Sequence, residues 1–260
     1  MNEKAKKLLQ AFEEGKKLEK CDFSNVNFHL NLSGARLRDS NLRNAKLWYV
    51  DLSGADLRGA DLRYAELRYA NLSDADLRDA DLHGILLFGA DLSNIRLYDV
   101  NLQDINMSGA TLNNVSFNKI ILRDAKLRAT DLTSATFINV DMRGAKLNKA
   151  VMEQIFLEKI NLKDADLSGA ELSEATLSNV DLTHSKLRDA NLDYASLRNV
   201  NFRGADMKDV KLNYASLYNV DFRGANLSDI QLQDSKYDDE TKWPARFEPE
   251  QKGALKNILI

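Results

Sequence analysis

The chain has few of the residues on which disulfides, metal sites and membrane spans depend. It contains one cysteine, Cys21, so no intramolecular disulfide can form. Its three histidines, His29, His83 and His184, have no second histidine or cysteine at the spacing of a metal site. We therefore predict neither a metal nor another cofactor. No apolar run approaches the roughly 20 residues that a spanning helix needs, so we expect no membrane insertion.

An excess of charge of one sign is also absent. Lys and Arg number 36 and Asp and Glu 39, which gives a net charge of −3. This balance gives no overall attraction to nucleic acid or to an anionic membrane, so we expect no direct binding of nucleic acid. The start, MNEKAKKLLQAFEEG, has charges on both sides of a short apolar patch and no signal-peptide core. We expect a cytoplasmic protein.

Proline is nearly absent, and the long region without proline has a five-residue period. Both prolines, Pro244 and Pro249, follow the periodic region, where they cost no ladder hydrogen bond. Every fifth residue from Leu32 to Tyr237, here called a centre, is Leu, Phe, Met or Tyr. The residue two positions before each centre is Ala, Val, Ile, Leu, Ser or Thr. Two earlier units, Cys21/Phe23 and Val26/Phe28, keep the pattern but lie one residue out of phase.

This period fits neither an amphipathic helix nor an ordinary strand. At about 100° per residue the apolar positions would lie all around a helix axis. A strand needs unbroken alternation, whereas here the gaps run two, three, two, three. The pattern predicts a short extended piece with two inward side chains, followed by a turn. Most of the 12 glycines stand two residues after a centre, where a turn uses a permissive backbone.

The repeated units ADLRG, ADLRY, ANLSD and ADLSG resemble the pentapeptide-repeat family of bacterial type, whose signature is A(D/N)LXX. The resemblance covers residues 21–239. It implies an all-β solenoid, a right-handed quadrilateral (four-sided) parallel β-helix with one pentapeptide on each side of the coil. About 11 coils are expected from the number of units.

The segments 1–20 and 240–260 are expected to cap the solenoid, because each open end exposes apolar core and unpaired backbone. We predict an N-terminal capping helix that ends near Gly15, and a C-terminal capping tail. The helix has one apolar face, formed by Ala5, Leu8, Leu9 and Phe12. In the tail, Trp243 and Phe247 are expected to cover the last coil. Alternatively, the tail docks a partner or a second copy through Leu255, Ile258, Leu259 and Ile260, so monomer and homodimer both stay open.

No motif indicates catalysis. The chain lacks GxxxxGK[ST], GxGxxG and GxSxG. Cys21 occupies a small inward slot, which predicts a buried structural residue and not a nucleophile. His83 and His184 fall on outward positions and are predicted to be surface residues. We expect a non-enzymatic rigid scaffold for protein–protein interaction whose partner the sequence does not identify.

One side of the implied coil is acidic. When the units are sorted into four faces, the face centred on 32, 52, 72 and onward sums to −8, and the others sum to +1, −1 and +3. Its acids, here called the acidic face, are Asp51, Asp74, Asp91, Asp131, Glu153, Glu171, Glu174, Asp193 and Asp234. This face reflects either the family's habit of placing Asp before the centre or a surface for a basic partner.

The resemblance also implies a sharper alternative for the acidic face. Family members that protect DNA gyrase from quinolones resemble a DNA duplex in shape and negative charge. A DNA-mimicking modulator of DNA gyrase or topoisomerase is therefore the second functional hypothesis. Arginines just after many centres, such as Arg58 and Arg63, and the unbroken register depart from those proteins.

A second departure from the repeat is apolar. The units AKLWY, AELRY and ILLFG lie on one face of three successive coils. The residues of this aromatic patch are Trp48, Tyr49, Tyr64, Tyr69, Leu86 and Phe88. Aromatic residues dominate the energetics of protein interfaces. The patch is therefore either a protein-binding site or a set of stacked rings that shield the backbone or contact the N-terminal helix.

Overall fold

The backbone pairs with itself at one fixed interval along the chain. A computed structural model describes residues 6, 10–15, 18–27, 31–95, 97–98 and 100–256. Asn31 pairs with Asp51 and Asp51 with Asn71, both in parallel. The same step recurs as far as Lys211 and Gln231. The fold is an all-parallel β-solenoid of stacked coils, as the sequence predicts.

The regular strands lie in the second half of the chain and form one parallel sheet. Its eight strands stack in sequence order from β1 to β8. The strands are β1 Ser116–Asn118, β2 Thr136–Ile138, β3 Phe156–Asn161, β4 Thr176–Asp181, β5 Ser196–Asn201, β6 Ser216–Tyr218, β7 Lys236–Tyr237 and β8 Leu255–Lys256. A short 3-10 helix, Pro249–Lys252, lies between β7 and β8.

The expected count of about 11 coils is wrong for the continuous sheet. Its eight strands give about 7 coil-to-coil steps, from the β1–β2 pair to the β7–β8 pair. Before β1 the coils are joined by isolated single-residue bridges such as Asp56↔Asp76. In this part of the chain a turn follows each short extended piece, so the pairing is interrupted before a regular strand can form.

The core consists of the centres and the small residues beside them. Every centre from Leu32 to Tyr237 is buried. The register places Leu157 between Phe137 and Leu177, so apolar side chains stack along the axis. Removing one such side chain from water contributes about 1.5–3 kcal/mol before entropy is subtracted. The inward pair predicted from the period is confirmed.

Hydroxyl residues enter the small slots without leaving a polar group unpaired. The Ser40 hydroxyl donates to the Leu37 carbonyl at 2.6 Å, and the Thr130 hydroxyl donates to the Leu127 carbonyl at 2.7 Å. Ser185 and Ser235 make the same bond to the carbonyl three residues earlier. Because the turn itself supplies an acceptor, Ser and Thr replace Ala here at little cost.

From Leu32 to Leu232, the second residue after each centre adopts a left-handed backbone wherever the structure describes it. Gly54 has φ of 63° and Asn44 has φ of 57°. Glycine takes this conformation without steric cost, and Asn and Asp take it more easily than other residues. Tyr49, Tyr64 and Tyr69 also have positive φ, so the turn holds their side chains outward from the corner.

At the N-terminal end, residues 10–13 are helical and Phe12 packs against the core. Gly15 has φ of 69° and its N–H donates to the Phe12 carbonyl, which agrees with the expected stop. Ala5, Leu8 and Leu9 lie outside the described residues. Within the described ranges, no helix is both long and apolar enough to cross a bilayer.

The first units confirm the predicted phase shift. Asp22 pairs with Asn41, a step one residue shorter than that from Asn31 to Asp51. Cys21 is half-buried against the core and not fully buried, contrary to the sequence prediction. It lies in the first coil of the ladder, so it lacks the cover that inner residues receive from a coil on each side.

The C-terminal segment continues the ladder beyond the repeats. Lys242 pairs with Asp221, and β8 pairs with β7. A column of stacked aromatic rings extends from the core into this segment. Phe222 stacks on Phe202 with centroids 5.3 Å apart, and Trp243 stacks on Phe222 at 4.6 Å. Phe247 follows at 5.3 Å from Trp243. Leu255 is exposed, and Ile258, Leu259 and Ile260 lie outside the described residues.

We predict that Trp243→Ala lowers the free energy of unfolding by about 2–3 kcal/mol, because it removes the ring that stacks between Phe222 and Phe247. Urea unfolding followed by circular dichroism measures this change. Trp48→Ala, which removes the other tryptophan from an exposed site, is the matched control and should cost much less. Equal midpoints for Trp243→Ala and wild type would contradict the prediction.

Candidate functional site

The aromatic patch has an ordered, accessible centre. The exposed fractions are 66% for Tyr49, 48% for Tyr69, 39% for Phe88 and 36% for Trp48. The Tyr49 and Tyr69 rings stack in parallel with centroids 5.2 Å apart. The Phe88 ring meets the Tyr69 ring edge-on at 5.4 Å. Three successive coils therefore present one continuous row of rings.

Polar partners on the next coil fix Trp48 at the edge of this row. Its indole N–H donates to Oε2 of Glu66 at 2.8 Å. The Arg68 guanidinium lies 6.0 Å from its ring centroid, within the range of a cation–π contact. Arg68 also lines a cleft of about 360 Å³ with Tyr69, Leu86, Phe88 and Asn106. Leu86 is half-buried there.

Tyr64 is separated from the rest of the predicted patch. Its ring lies edge-on to His83 at 5.4 Å, and Arg43 lies 5.6 Å from its centroid. Within the described residues, no ring contact joins Tyr64 to Trp48, Tyr69 or Phe88. The sequence placed it at an adjoining corner, and the structure gives it a different set of neighbours.

Glycines on the following coil make room for two of these rings. A Cβ added to Gly89 would lie 2.6 Å from the Tyr69 ring, and one added to Gly84 would lie 2.6 Å from the Tyr64 ring. Both rings therefore lie directly over glycine backbone. Any larger residue at these positions would displace the ring.

On the acidic face, several carboxylates organise the turn that follows them. Oδ1 of Asp51 accepts the Ser53 N–H at 2.9 Å. Asp91 accepts both the N–H and the hydroxyl of Ser93, and Asp131 does the same with Thr133. Asp74, Glu153 and Glu174 are the most exposed acids of this face.

None of the nine acids of this face makes an ion pair within the described part of the chain. Elsewhere an aspartate before the centre is often paired with an arginine just after it. Arg58 binds Asp56 through two bonds, Nε to Oδ1 at 2.8 Å and Nη2 to Oδ2 at 2.6 Å. Asp61, Asp76, Asp141 and Asp221 form the same pair, here called the arginine clamp. The negative charge of the acidic face is therefore not compensated by neighbouring bases.

The arginine clamps lower the pKa values of their carboxyl groups. Hydrogen bonding to the Arg143 guanidinium is the main cause that holds the pKa of Asp141 at about 2, below its ordinary 3.8, although burial opposes it. Arg123, on the preceding coil, adds a second bond to Oδ2 at 2.6 Å. Clamped aspartates stay ionised to lower pH. However, the paired arginine cancels their negative charge, so they attract a basic partner less strongly.

A second aromatic pair was missed at the sequence level. Tyr194 and Tyr214 are exposed and stack in parallel at 4.9 Å, at a corner of the acidic face. They occupy the same position in their units, ANLDY and VKLNY, which lie one coil apart. That spacing was the available signal, because it places one ring over the other once the coil length is known.

No cluster suited to binding a metal ion was found in the described ranges. Groups of three His, Cys, Asp or Glu side chains that could hold a metal ion do not occur there. His83 and His184 are exposed, as predicted from their outward positions. His29 lies outside the described residues.

Family models match most of the chain. The model for pentapeptide repeats matches residues 21–63, 55–94, 90–128 and 190–229. A model for a pentapeptide repeat region matches residues 110–187. The chain belongs to the pentapeptide-repeat family. A comparison with curated protein sequences gave no match.

Several solved pentapeptide-repeat structures are similar to this chain. HetL, involved in heterocyst differentiation regulation in the cyanobacterium Nostoc sp. strain PCC 7120, is 26% identical, with 90% of this chain and 92% of that chain covered and a TM-score of 0.35. QnrB1, a plasmid-mediated fluoroquinolone resistance protein, is 16% identical, with 80% and 91% covered and a TM-score of 0.39. A protein from the Arabidopsis thaliana thylakoid lumen is 31% identical, with 42% and 66% covered and a TM-score of 0.21. With such low TM-scores, these structures assign no function to this chain.

The Asp141 clamp predicts a pH effect on stability. Because the folded pKa of Asp141 is depressed to about 2 from 3.8, its contribution is present above pH 4 and is lost as the pH falls from about 4 to about 2. Arg143→Gln removes the main cause of the shift, so the folded pKa of Asp141 should return toward 3.8, and the acid-dependent loss of stability should become smaller and end at a higher pH. Thermal melts between pH 2 and pH 7 measure it.

Arg128→Gln is the control for this experiment, because Arg128 makes no ion pair with any described residue and the substitution removes the same charge. Identical pH profiles for the two variants would show that the clamp does not shift the titration.

Proposed function

We propose that this pentapeptide-repeat protein is a non-enzymatic rigid scaffold that binds a protein partner through the aromatic patch. The observation that carries the proposal is the row of exposed rings formed by Tyr49, Tyr69 and Phe88, with Trp48 fixed beside it. Contiguous exposed aromatics are typical of interfaces, whereas isolated ones are common on any surface.

The rigidity of the row favours binding. Tyr49 N–H donates to the Arg68 carbonyl and Tyr69 N–H donates to the Phe88 carbonyl, both at 3.0 Å. The backbones that carry the rings are therefore bonded to each other, and stacking limits the freedom of the side chains. Because this surface is already ordered, binding of a partner would cost little side-chain entropy here. More of the contact energy would then contribute to affinity.

Other features of the chain support a scaffold. Many polar groups on the remaining faces are occupied by arginine clamps or by turns, so they do not converge on a shared point where a reaction could occur. We further propose that the coil is right-handed and four-sided, as the family resemblance implies and the constant step between bridge partners supports. Phe12 and the Trp243 column support the two end segments as caps. We expect a bacterial, cytoplasmic protein.

Affinity purification from the native cell with mass spectrometry tests this function. Trp48→Ala combined with Phe88→Ala should reduce recovery of the specific partner at least about 10-fold, because interface aromatics each contribute about 1–2 kcal/mol or more. Tyr194→Ala with Tyr214→Ala removes two exposed rings elsewhere and should leave recovery unchanged. If the patch variant retained every partner of wild type, the proposal would fail.

The acidic face supports a second candidate, a DNA-mimicking modulator of DNA gyrase or topoisomerase. The favouring observation is the absence of ion pairs at its nine carboxylates within the described residues, whereas five aspartates of other faces are held in arginine clamps. A row of uncompensated charge along a stiff rod attracts a surface that binds phosphates.

A gyrase supercoiling assay tests this candidate. Wild type in excess should inhibit supercoiling, and Asp74→Asn with Glu153→Gln and Glu174→Gln should weaken the inhibition several-fold. The control is Asp104→Asn with Asp164→Asn and Asp189→Asn, which neutralises three exposed acids on other faces and should have little effect. Unchanged supercoiling with excess wild type would eliminate the candidate.

A further inference from the structure

Neighbouring coils are normally joined by a fixed set of backbone hydrogen bonds. In the step from Asp61 to Asp81, the Leu62 N–H donates to the Asp81 carbonyl at 2.9 Å, and the Asp81 N–H donates to the Ala60 carbonyl at 3.0 Å. The Tyr64 N–H donates to the His83 carbonyl at 2.9 Å. These three bonds define an intact step on this face.

The next step on the same face has none of them. Within the described residues, the N–H groups of Leu82, Gly84 and Asn101 have no hydrogen-bond acceptor, and no bridge joins Asp81 to Asn101. The ladder resumes one coil later, where the Leu102 N–H donates to the Ile121 carbonyl at 2.8 Å. On this face the interruption is therefore confined to one step.

Space separates the two coils at this step. A cleft of about 600 Å³ lies between Asp79–His83 and the chain at Tyr98, Val100 and Asn101. A second cleft of about 500 Å³ continues it between Leu82–Leu86 and Asn101–Asn106. The opening reaches the core, since Leu82, Leu97 and Ile105 are 5%, 7% and 6% exposed.

The small slots beside the centres change size near the opening. In the small slots beside the centres, Ala80 is followed one coil later by Val100. Ala75 is followed in the same way by Ile95, and Ala65 by Ile85. Three of the four columns thus change from alanine to a branched residue within one turn of the chain. The coils therefore differ in width, although the step from Ala65 to Ile85 keeps its ladder bonds, such as the 2.8 Å bond from the Leu67 N–H to the Leu86 carbonyl.

The fourth column does not change size. There alanine continues through Ala70, Ala90 and Ala110, and the ladder is intact. The Leu92 N–H donates to the Thr111 carbonyl at 2.7 Å, and the Thr111 N–H donates to the Ala90 carbonyl at 2.9 Å. On the side where the small slot holds Ile85 and then Ile105, the ladder is partly kept, with a 3.2 Å bond from the Leu87 N–H to the Asn106 carbonyl and a 3.0 Å bond from the Gly89 N–H to the Ser108 carbonyl.

We infer that this step is a compliant junction that divides the solenoid into two stiff stacks, which open and close about the intact alanine column. Three lost bonds on one side and three retained bonds on the other give the junction a hinge side and an opening side. The cleft beside Phe88 includes Asn106 of the second stack, so closure of the junction changes one wall of the aromatic patch. This inference does not depend on the proposed function.

Amide hydrogen exchange with residue-level mass spectrometry tests the junction. The amides of Leu82, Gly84 and Asn101 should exchange about 100-fold faster than those of Leu62, Tyr64 and Asp81, their counterparts one coil earlier. Equal protection of the two sets would overturn the inference.

Engineered disulfides give a second measurement in the full chain with Cys21→Ser. His83→Cys with Gln103→Cys spans the junction, and Arg63→Cys with His83→Cys spans the intact step. Neighbouring coils lie about 4.8 Å apart, which suits a disulfide. The intact pair should oxidise readily, and the junction pair should oxidise at least about 10-fold more slowly.

Once formed, the junction disulfide should protect the amides of Leu82 and Gly84, because it holds the coils at ladder distance. Equal oxidation rates for the two pairs, or no gain in protection after oxidation of the junction pair, would show that the step is not compliant. Both variants place cysteines on outward positions, so the readout does not depend on repacking the core.

Discussion

The structure depends on the requirement that each inward side chain lie over its counterpart in the next coil. A slip of one residue would turn a buried leucine toward solvent, at a cost of about 1.5–3 kcal/mol for each such residue. The same register also aligns the outward positions. Tyr49 stacks on Tyr69 and Tyr194 on Tyr214, because both pairs have the same 20-residue spacing that places Leu157 next to Leu177 in the core. The register of the core therefore aligns outward side chains of successive coils in columns. A single surface substitution extends or interrupts one such column of side chains.

The residue after the centre decides what happens to the aspartate before it. When arginine follows, as in Asp56-Leu57-Arg58, the carboxylate is held in two charge-assisted bonds. When serine or threonine follows, as in Asp91-Leu92-Ser93, the carboxylate organises its own turn and keeps its negative charge uncompensated. For the four acids of the acidic face that precede a centre, Asp51, Asp91, Asp131 and Glu171, the serine or threonine that follows leaves the charge uncompensated. A count of aspartates alone would not separate the two cases.

Sequence reasoning predicted the period, the inward pair and the turn positions because each follows from a few adjacent residues. It did not predict the arginine clamps, since these depend on how two side chains lean across a short extended piece. It grouped Tyr64 with the patch, although the corner directs that ring toward Arg43 and His83. The change from Ala80 to Val100 is visible in the sequence, but its effect appears only when the two residues are known to stack.

The two candidate surfaces differ in how they relate to the junction. The acidic face runs along both stacks, and its alanine column, with Ala90 and Ala110, is the side on which the ladder is unbroken. A partner that binds along this face would therefore meet a continuous backbone. The aromatic patch lies on the first stack and ends at Phe88, next to the opening. A partner that contacts only Trp48 and Tyr49 would bind equally well whether the junction is open or closed. A partner that also contacts Asn106, in the second stack, would favour one angle between the two stacks. Because binding energy can shift a conformational equilibrium only through contacts that differ between its states, the cleft at Phe88 is the place where recognition and the shape of the rod can be coupled.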